Sequence, residues 1–351
     1  MSRVRTERLR RVPLALALPV ALAALVVAVV LGIGLGPIEL GPRTVLAVAG
    51  HEILGIGEGA PALETTVVMT LRMPRVLFGA LSGAALAVSG AALQSLFRNP
   101  LADPGIIGVS AGASTGAVGA IVLLPPLATA LTAWAVPAAA FAGGLLATGM
   151  IYLLARPSAG GGTSRLLLVG IAIGAGFAAL TGFFTFAADD DELQSVVFWQ
   201  MGSLGAITWL KLAIAVVPVT AGVGLLTLLA RRLDLLTLGE RQAKHLGLDV
   251  ERTRRTVIVT TALLTGASVA FAGTIGFIGL VVPHIVRLVC GPAHRSLLPV
   301  SAVIGALLIV VADTLSRIVV PPAEVPIGLF TALMGAPFFL MLVMRSRAVH
   351  G

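Results

Sequence analysis

The chain has 351 residues, of which 57% are hydrophobic and only 11% are charged, and its mean hydropathy is +1.03. So apolar a composition excludes a water-soluble domain, because the polar residues would not suffice to cover the core. The net charge of +8 would suggest nucleic acid in a soluble chain, but here it follows from loop arginines that orient membrane helices. The sequence therefore predicts an all-α polytopic membrane protein with no nucleic-acid partner.

Chemistry-bearing residue types are sparse. The single cysteine, Cys290, excludes an intrachain disulfide and a thiolate metal site, and the five histidines show no metal-ligand spacing. Neither of the two lysines, Lys211 and Lys244, follows a glycine, so the Gly-Lys-Ser/Thr motif of a phosphate-binding loop is missing. We expect no cofactor, no metal and no ATP hydrolysis on this chain.

Uncharged stretches of about 20 residues, which cross a bilayer as helices, predict ten spans. Five arginines in residues 1–11 precede 27 uncharged residues, which predicts a first span with its N-terminus inside; a cleaved signal peptide is the alternative. A short apolar piece, 193–204, is predicted to be interfacial. Spans two to six are predicted, in order, at 76–97, at two places between Asp103 and Arg156 with an outer turn at Pro125-Pro126, at 166–188, and at 207–230.

The stretch 256–286 has basic residues at both ends, so both ends should lie inside and the chain must cross an even number of times. Thirty-one residues are too few for two full spans. A full helix followed by a half-length one, broken around Gly273, Gly276 and Gly279, resolves this. The last two spans are predicted at 297–318 and, after an outer turn at Pro321-Pro322, up to Arg345.

The distribution of basic residues gives the orientation. With this topology 19 of the 24 lysines and arginines lie inside, which predicts that both termini are cytoplasmic in a bacterial plasma membrane. The five basic residues placed outside are Arg43, Arg72, Arg75, Lys211 and Arg317.

Residues 231–255 form a polar interruption between two apolar stretches, with eleven charged residues, seven of them basic. This charge predicts a cytoplasmic segment. Within it, 239–247 predicts a short helix with glycine at both ends and with Ala243 and Leu246 on one side. So short a helix is not stable alone. It therefore needs a packing partner, either this chain or a second protein, and an ordinary cytoplasmic loop is the alternative.

Long motifs that combine glycine, proline and charge carry a family resemblance. Together with LGERQAKHLG, at 238–247, they resemble the FecCD-type permeases, the membrane subunits of ATP-binding-cassette importers for ferric siderophores, haem and vitamin B12. The resemblance covers about residues 65–345, while 36–64 matches none of the motifs. The other motifs are RMPRVLFGALSGAALAVSGAALQSLFRNPLADPGIIGVSAGA (72–113), AGTIGFIGLVVPHIVRLVCGPAHRSLLP (272–299) and ADTLSRIVVPPAEVPIGLFTALMGAPFF (312–339).

The resemblance implies the fold of a type II importer permease: one transmembrane domain over 1–351, ten transmembrane helices per subunit, and a dimer with the translocation path along the subunit interface. It implies as partners two ATPase subunits, an extracytoplasmic substrate-binding protein, an identical or similar second permease, and membrane lipid. ATP would be hydrolysed on the partner subunits, so the chain would not be an enzyme. The substrate would be a ferric siderophore or a chelate similar to haem or cobalamin.

Two other classes are weighed against this reading. An ion-coupled secondary transporter would show a buried ionisable residue without a partner. Asp313 is the only candidate, and Arg317, four residues later, is a sufficient partner. A membrane-embedded enzyme would need clustered catalytic groups, which the scattered histidines do not supply.

The resemblance also implies three sets of functional residues. Docking on the ATPases would use the short helix within 231–255, through Gly239, Glu240, Ala243, His245, Leu246 and Gly247. Glutamates of the binding protein would meet three outer arginines, which are Arg72, Arg75 and Arg317. The inner end of the pore would be narrowed by Asn99, Leu101, Thr163 and Ser164.

Two of these sets have a structural alternative. The first two arginines can anchor a helix end, and Arg317 can pair with Asp313. Asn99 suits a turn, and Thr163 or Ser164 suits the N-cap of span five.

Overall fold

A computed structural model describes residues 11–57, 59–124, 129–155 and 162–347, and these residues form helices and no β-strand. The predicted outer turn at Pro125-Pro126 lies outside the described residues. A π-helical stretch, Val67–Arg72, and a 3₁₀ turn, Pro104–Ile107, complete the regular structure. The helices are α1 (Leu14–Gly34), α2 (Pro42–Leu54), α3 (Ala62–Thr66), α4 (Met73–Phe97), α5 (Val109–Leu123), α6 (Thr129–Leu154), α7 (Gly162–Ala187), α8 (Asp190–Met201), α9 (Trp209–Leu228), α10 (Ala230–Thr237), α11 (Glu240–His245), α12 (Val250–Ala272), α13 (Ile278–Cys290), α14 (His294–Ile318) and α15 (Ile327–Arg347).

Seven helices of the described chain are long and apolar enough to cross a membrane. Three shorter apolar helices lie in α5, α13 and α15, and with them the number and order of segments match the ten predicted spans. The short piece predicted after span five is also present, as α8. The seven long helices are Leu14–Gly34, Ala62–Phe97, Ala133–Leu154, Arg165–Ala187, Trp209–Leu228, Val250–Ala272 and His294–Ile318.

Helix α4 is the centre of the bundle and packs against α9, α12, α13 and α14. Glycines allow the backbones to approach closely, as is typical of helices in lipid. A Cβ atom on Gly90 would lie 1.8 Å from the carbonyl oxygen of Gly279 in α13, and one on Gly83 would lie 2.1 Å from that of Gly305 in α14. Side chains larger than hydrogen are therefore excluded at these crossings.

The helix that contains span two begins earlier than the predicted span does. The helix is continuous from Ala62 to Phe97, 36 residues, and so about 54 Å long at about 1.5 Å per residue. That exceeds the hydrocarbon core of about 30 Å, so part of the helix lies beyond it. Arg72 and Arg75 consequently lie within a helix rather than ahead of one, and their guanidinium groups hydrogen-bond to partners inside the chain.

The predicted break after span seven is confirmed. Helix α12 ends at Ala272, and α13 begins at Ile278 and has only 13 residues. Gly273 ends α12 with φ +71°, and a Cβ atom there would lie 2.2 Å from the carbonyl oxygen of Trp199 in α8. Glycine is therefore required at this position by both the backbone conformation and the contact with α8.

Candidate functional site

The three predicted outer arginines lie together at one end of α4 and α14, with Asp313 and Glu324. All three arginines and Asp313 are buried. Arg75 donates from Nε to Asp313 Oδ1 at 2.9 Å and from Nη1 to Glu324 Oε1 at 2.7 Å. Arg317 Nε lies 3.2 Å from Asp313 Oδ2. We call these five residues the outer charge cluster, after the side of the membrane that the sequence predicts for its arginines.

Two members of the outer charge cluster also terminate α1. Arg72 donates from Nη1 to the carbonyl oxygens of Ile33 and Gly34 at 2.9 and 2.7 Å, and Arg317 donates from Nη2 to that of Gly32 at 2.7 Å. The last carbonyls of a helix lack intrahelical donors, and the helix dipole favours cations there. Both arginines therefore anchor a helix end, although the helix is α1 and not span two.

The cluster corrects the sequence reading of Asp313. The ion pair with Arg317 is present, but Arg317 Nε donates its hydrogen bond to the backbone carbonyl oxygen of Asp313 at 3.3 Å, and the carboxylate accepts instead from Arg75, 238 positions earlier in the chain. Glu324, on the connection between α14 and α15, was not predicted at all. Only its position after Pro321-Pro322, on a side short of cations, could have drawn attention to it.

The predicted short helix of the polar interruption is confirmed as α11, between a glycine at φ +108° and a glycine at φ +82°, Gly239 and Gly247. Two backbone hydrogen bonds close its C-terminus, from Gly247 N to Lys244 O at 2.9 Å and from Leu248 N to Ala243 O at 3.0 Å. These two hydrogen bonds form the Schellman motif, in which the residue just after the helix end, here Gly247, adopts the left-handed conformation. The two glycines thus shape a compact helical turn.

The predicted use of Ala243 in a partner's groove is wrong. Ala243 is fully buried among the core residues of the chain, whereas Leu246 is 59% exposed. The two do not share a face because α11 ends at His245 and Leu246 lies beyond it in a non-helical conformation. His245, Leu246 and Gly247 form the exposed end of α11.

Helix α11 is fastened to α12 by a buried guanidinium that the sequence reading missed. Arg254 donates from Nη2 to Glu240 Oε1 at 2.7 Å and from Nη1 to Glu251 Oε2 at 3.0 Å. Its side chain is buried, while both carboxylates are partly exposed. Glu240, predicted to contact the ATPase, therefore also holds α11 against its own chain.

Two of the predicted gate residues, Asn99 and Leu101, lie in a tight turn after α4. Arg98 ends the helix in the left-handed region with φ +49°. Asn99 Oδ1 then accepts from Leu101 N at 2.9 Å, which is the turn-forming role that asparagine favours. Asp103 continues the turn by accepting from Gly105 N at 2.8 Å. Burial raises the pKa of the Asp103 carboxyl, and the hydrogen bond from Gly105 opposes that shift.

The other two predicted gate residues, Thr163 and Ser164, lie in the first turn of α7. Their side chains lie outside the described part of the chain. Leu101 is partly exposed beside the turn. The gate assignment therefore stays a prediction, with a rigid turn on one side and a helix start on the other.

No metal site is present among the described residues, where no group of three or more histidine, cysteine, aspartate or glutamate side chains comes together. The charged groups instead form ion pairs at the two ends of the bundle.

Comparison with known proteins gives one consistent result. The sequence profile described as the FecCD transport family matches residues 24–345. The "Cobalamin import system permease protein BtuC" of Halobacterium salinarum is 44% identical over 83% of this chain and 77% of its own length. The "Hemin transport system permease protein HmuU" of Yersinia pestis is 46% identical over 80% of this chain and 83% of its own length.

A solved structure agrees with this result. It is titled "An inward-facing conformation of a putative metal-chelate type ABC transporter". It superposes with a TM-score of 0.81 at 32% identity and covers 93% of this chain and 98% of that chain.

Proposed function

The chain belongs to the FecCD transport family, and from this premise we propose that it is the permease subunit through which an ATP-binding-cassette importer passes a metal chelate into the cytoplasm. The observation that carries the proposal is the exposed end of α11, a small rigid knob between two membrane helices of a family permease. Energy would come from ATPase subunits, because this chain has no phosphate-binding loop.

The cargo we propose is a bulky iron or cobalt chelate: a ferric siderophore, haem or a cobalamin. Support comes from the relatives, whose names specify cobalamin and hemin, and from the structural neighbour, whose title specifies a metal chelate. A pore that passes such a molecule briefly makes few contacts with it. We therefore assign the choice of chelate chiefly to the external binding protein.

We propose that the chain lies in a bacterial plasma membrane with both termini in the cytoplasm. The support is the charge bias, since 19 of 24 basic residues fall on one side of the predicted topology. That side carries residues 231–255, so the segment faces the compartment that contains ATP. A second permease subunit would complete the translocation path along the faces of helices that the single chain leaves exposed.

Docking on the ATPase is assigned to the exposed residues His245, Leu246 and Gly247, while Gly239 is buried at the start of α11. A helix end that presents one leucine suits a groove in a partner protein. Glu240 and Ala243 act from inside the chain, one by its ion pair with Arg254 and the other by core packing. They set the position of the knob rather than touch the partner.

Docking of the binding protein is assigned to the outer charge cluster, through Arg75. Its partner Glu324 has a side chain that is 43% exposed and lies in a connection, so an incoming carboxylate can replace it on the guanidinium. Arg72 and Arg317 would have to release the carbonyls of α1 to do the same. We therefore infer that Arg72 and Arg317 keep α1 in place, and that Arg75 exchanges Glu324 for a carboxylate of the binding protein.

The experiment that tests the proposal compares two aspartate substitutions. Leu246→Asp places a charge on the exposed knob, and we expect it to lower retention of the ATPase subunits by about 10-fold or more, the effect of losing a buried apolar anchor. The tagged chain is purified from its native membrane in mild detergent, and bound proteins are quantified by mass spectrometry. Substrate-dependent ATP hydrolysis is measured in parallel.

The matched control is Leu63→Asp, at a leucine that is 65% exposed near the start of the long helix that contains α4. It introduces the same charge at similar exposure on the side assigned to the outside, and ATPase retention should not change. If the unaltered chain is purified without any ATPase subunit, the importer assignment is wrong. If both variants retain the ATPase fully, the importer stands but α11 is not its docking element.

A further inference from the structure

Three side chains from three helices form a continuous hydrogen-bonded chain at the inner end of the bundle. His294 Nδ1 lies 2.6 Å from Asp234 Oδ1, and the other ring nitrogen, Nε2, lies 2.5 Å from Ser95 Oγ. Ser95 and His294 are buried, while Asp234 is partly exposed. The sequence reading attached no role to any of the three.

Each member of this chain belongs to an element with a different task. Asp234 lies in α10, five residues before Gly239 and within the 231–255 segment. His294 is the first residue of α14, and Ser95 lies in the last turn of α4, four residues before Asn99. The three side chains therefore join the segment that carries the ATPase-docking knob to the turn that carries the predicted gate.

Asp234 also caps α14 from outside that helix. The same Oδ1 accepts from the backbone nitrogen of His294 at 3.1 Å, and the residue that precedes α14, Ala293, has no side-chain cap of its own. A carboxylate at a helix N-terminus is favoured by the free N–H groups and by the helix dipole. Displacement of α10 would therefore remove both the cap and the partner of the imidazole ring.

The hydrogen bonds remain compatible with either charge state of the ring. The Asp234 carboxylate can only accept, so Nδ1 carries a proton. Ser95 Oγ lies 3.0 Å from Ala91 O as well, so its hydroxyl can donate to Nε2 of a neutral ring or to Ala91 while it accepts from a charged one. The connection from α10 to α4 thus persists without depending on protonation.

A cavity of about 530 Å³ lies beside this chain of residues. Its walls include Asp234, His294, Ser95 and Asn99, together with Arg98 from the end of α4 and Arg287 from α13. Close-packed interiors resist displacement, so an open space here leaves room for α10 and the gate turn to shift relative to each other.

We propose that Asp234, His294 and Ser95 are positioning residues that transmit displacement of the ATPase-docked segment to the gate turn after α4. This inference rests on the proposed function, since it needs an ATPase that displaces the segment. Without the link, the ATPases would still bind and hydrolyse ATP, but the gate would no longer follow them. The expected result is loss of coupling rather than loss of assembly.

The test uses the whole importer, chain with its ATPase and binding protein, reconstituted in liposomes, with ATP hydrolysed per substrate imported as the readout. For Asp234→Ala and for His294→Ala we expect this ratio to rise about 10-fold, within the usual range of coupling between sites. The double variant should be no worse than either single variant, because both break the same connection. Asp234→Asn, whose oxygen can still accept both hydrogen bonds, should retain most of the coupling.

The matched control is Asp249→Ala. Asp249 lies in the same segment and also caps a helix, since its Oδ1 accepts from Arg252 N at 2.9 Å, but among the described contacts it has no bond to α4 or α14. We expect its ATP-to-substrate ratio to stay near that of the unaltered chain. Ser95→Ala supplies a variant that keeps a good helix former in α4, so a result is obtained even if the Asp234 variants fail to assemble.

An unchanged ratio in Asp234→Ala or, where that variant does not assemble, in Ser95→Ala would overturn the link. If Asp249→Ala raises the ATP-to-substrate ratio equally, the cause is the general loss of a helix cap, and the proposed link is wrong. If the unaltered chain imports nothing in an ATP-dependent way, the proposed function itself fails, and this outcome is distinct from the other two.

Discussion

The two ends of the bundle use charge in opposite ways. At the outer charge cluster three arginines are buried against carboxylates and the carbonyls of α1, with Arg317 only 3% exposed. At the inner end the 231–255 segment exposes most of its basic side chains and buries only Arg254 among them. One end encloses its cations, and the other presents them.

The outer charge cluster and the 231–255 segment look alike in the sequence, where both are arginine-containing interruptions of apolar stretches, but they differ in structural role. Buried guanidinium groups that satisfy helix-end carbonyls fix the relative positions of α1, α4 and α14. Exposed groups around α11 leave that element held to the chain by few bonds, chiefly through Arg254. The outer charge cluster therefore joins three helices through buried hydrogen bonds, whereas α11 is joined to its neighbours by fewer bonds.

The largest effect is expected from Asp313→Ala, which removes the central carboxylate of the outer charge cluster. It leaves Arg75 and Arg317 buried with too little counter-charge, a defect that costs about 3–5 kcal/mol when a buried pair is broken. We expect a large drop in the yield and melting temperature of the folded chain in detergent. Both are read by size-exclusion chromatography after heating.

Asp190→Ala is the matched control, at an exposed carboxylate in the first turn of α8. It should leave the melting temperature almost unchanged. If Asp313→Ala proves equally harmless, the outer cluster is not a structural brace, and the contrast between the two ends disappears.

A smaller effect is expected from Glu240→Ala at the inner end, which removes one of two carboxylates from Arg254. Glu240 is partly exposed, so the loss should be about 1 kcal/mol or less, and Arg254 keeps Glu251. We expect faster amide hydrogen exchange confined to residues 240–248, with global stability retained. Arg241→Ala, at an exposed neighbour, should not change the exchange rate, and protection that is unchanged in Glu240→Ala would mean that core packing of Ala243 alone holds α11.

The sequence predicted most of the fold because apolar length and charge bias are local signals. The break between α12 and α13 followed from a count of residues between basic flanks, and α11 followed from two glycines eight positions apart. The continuation of the helix that contains α4 back to Ala62 was not predicted, because arginine normally marks a membrane boundary. Nothing near Arg72 in the sequence shows that carbonyls of α1, 38 positions earlier, will accept its hydrogen bonds.

The candidate site was less predictable because its contacts join distant parts of the chain. Arg75 meets Glu324, 249 positions away, and Ser95 meets His294, 199 positions away. Periodicity placed Leu246 correctly on a surface but put Ala243 beside it, since the end of α11 at His245 could not be read to within one residue. Residue types indicated where the bundle was polar. Only the fold showed which polar groups are paired with other groups of the same chain.

The smallest effect on stability, and the sharpest test of the outer end, comes from Glu324→Gln. The pair with Arg75 is partly exposed on the glutamate side, so stability should change by less than about 1 kcal/mol. Arg75 would then face an amide in place of a carboxylate, and an incoming glutamate of the binding protein would meet less competition. We expect several-fold tighter binding, measured by surface plasmon resonance with the chain in nanodiscs. Glu39→Gln, at an exposed glutamate on the same side, makes the same change in net charge; equal gains in both variants would show that long-range charge, and not exchange at Arg75, governs docking.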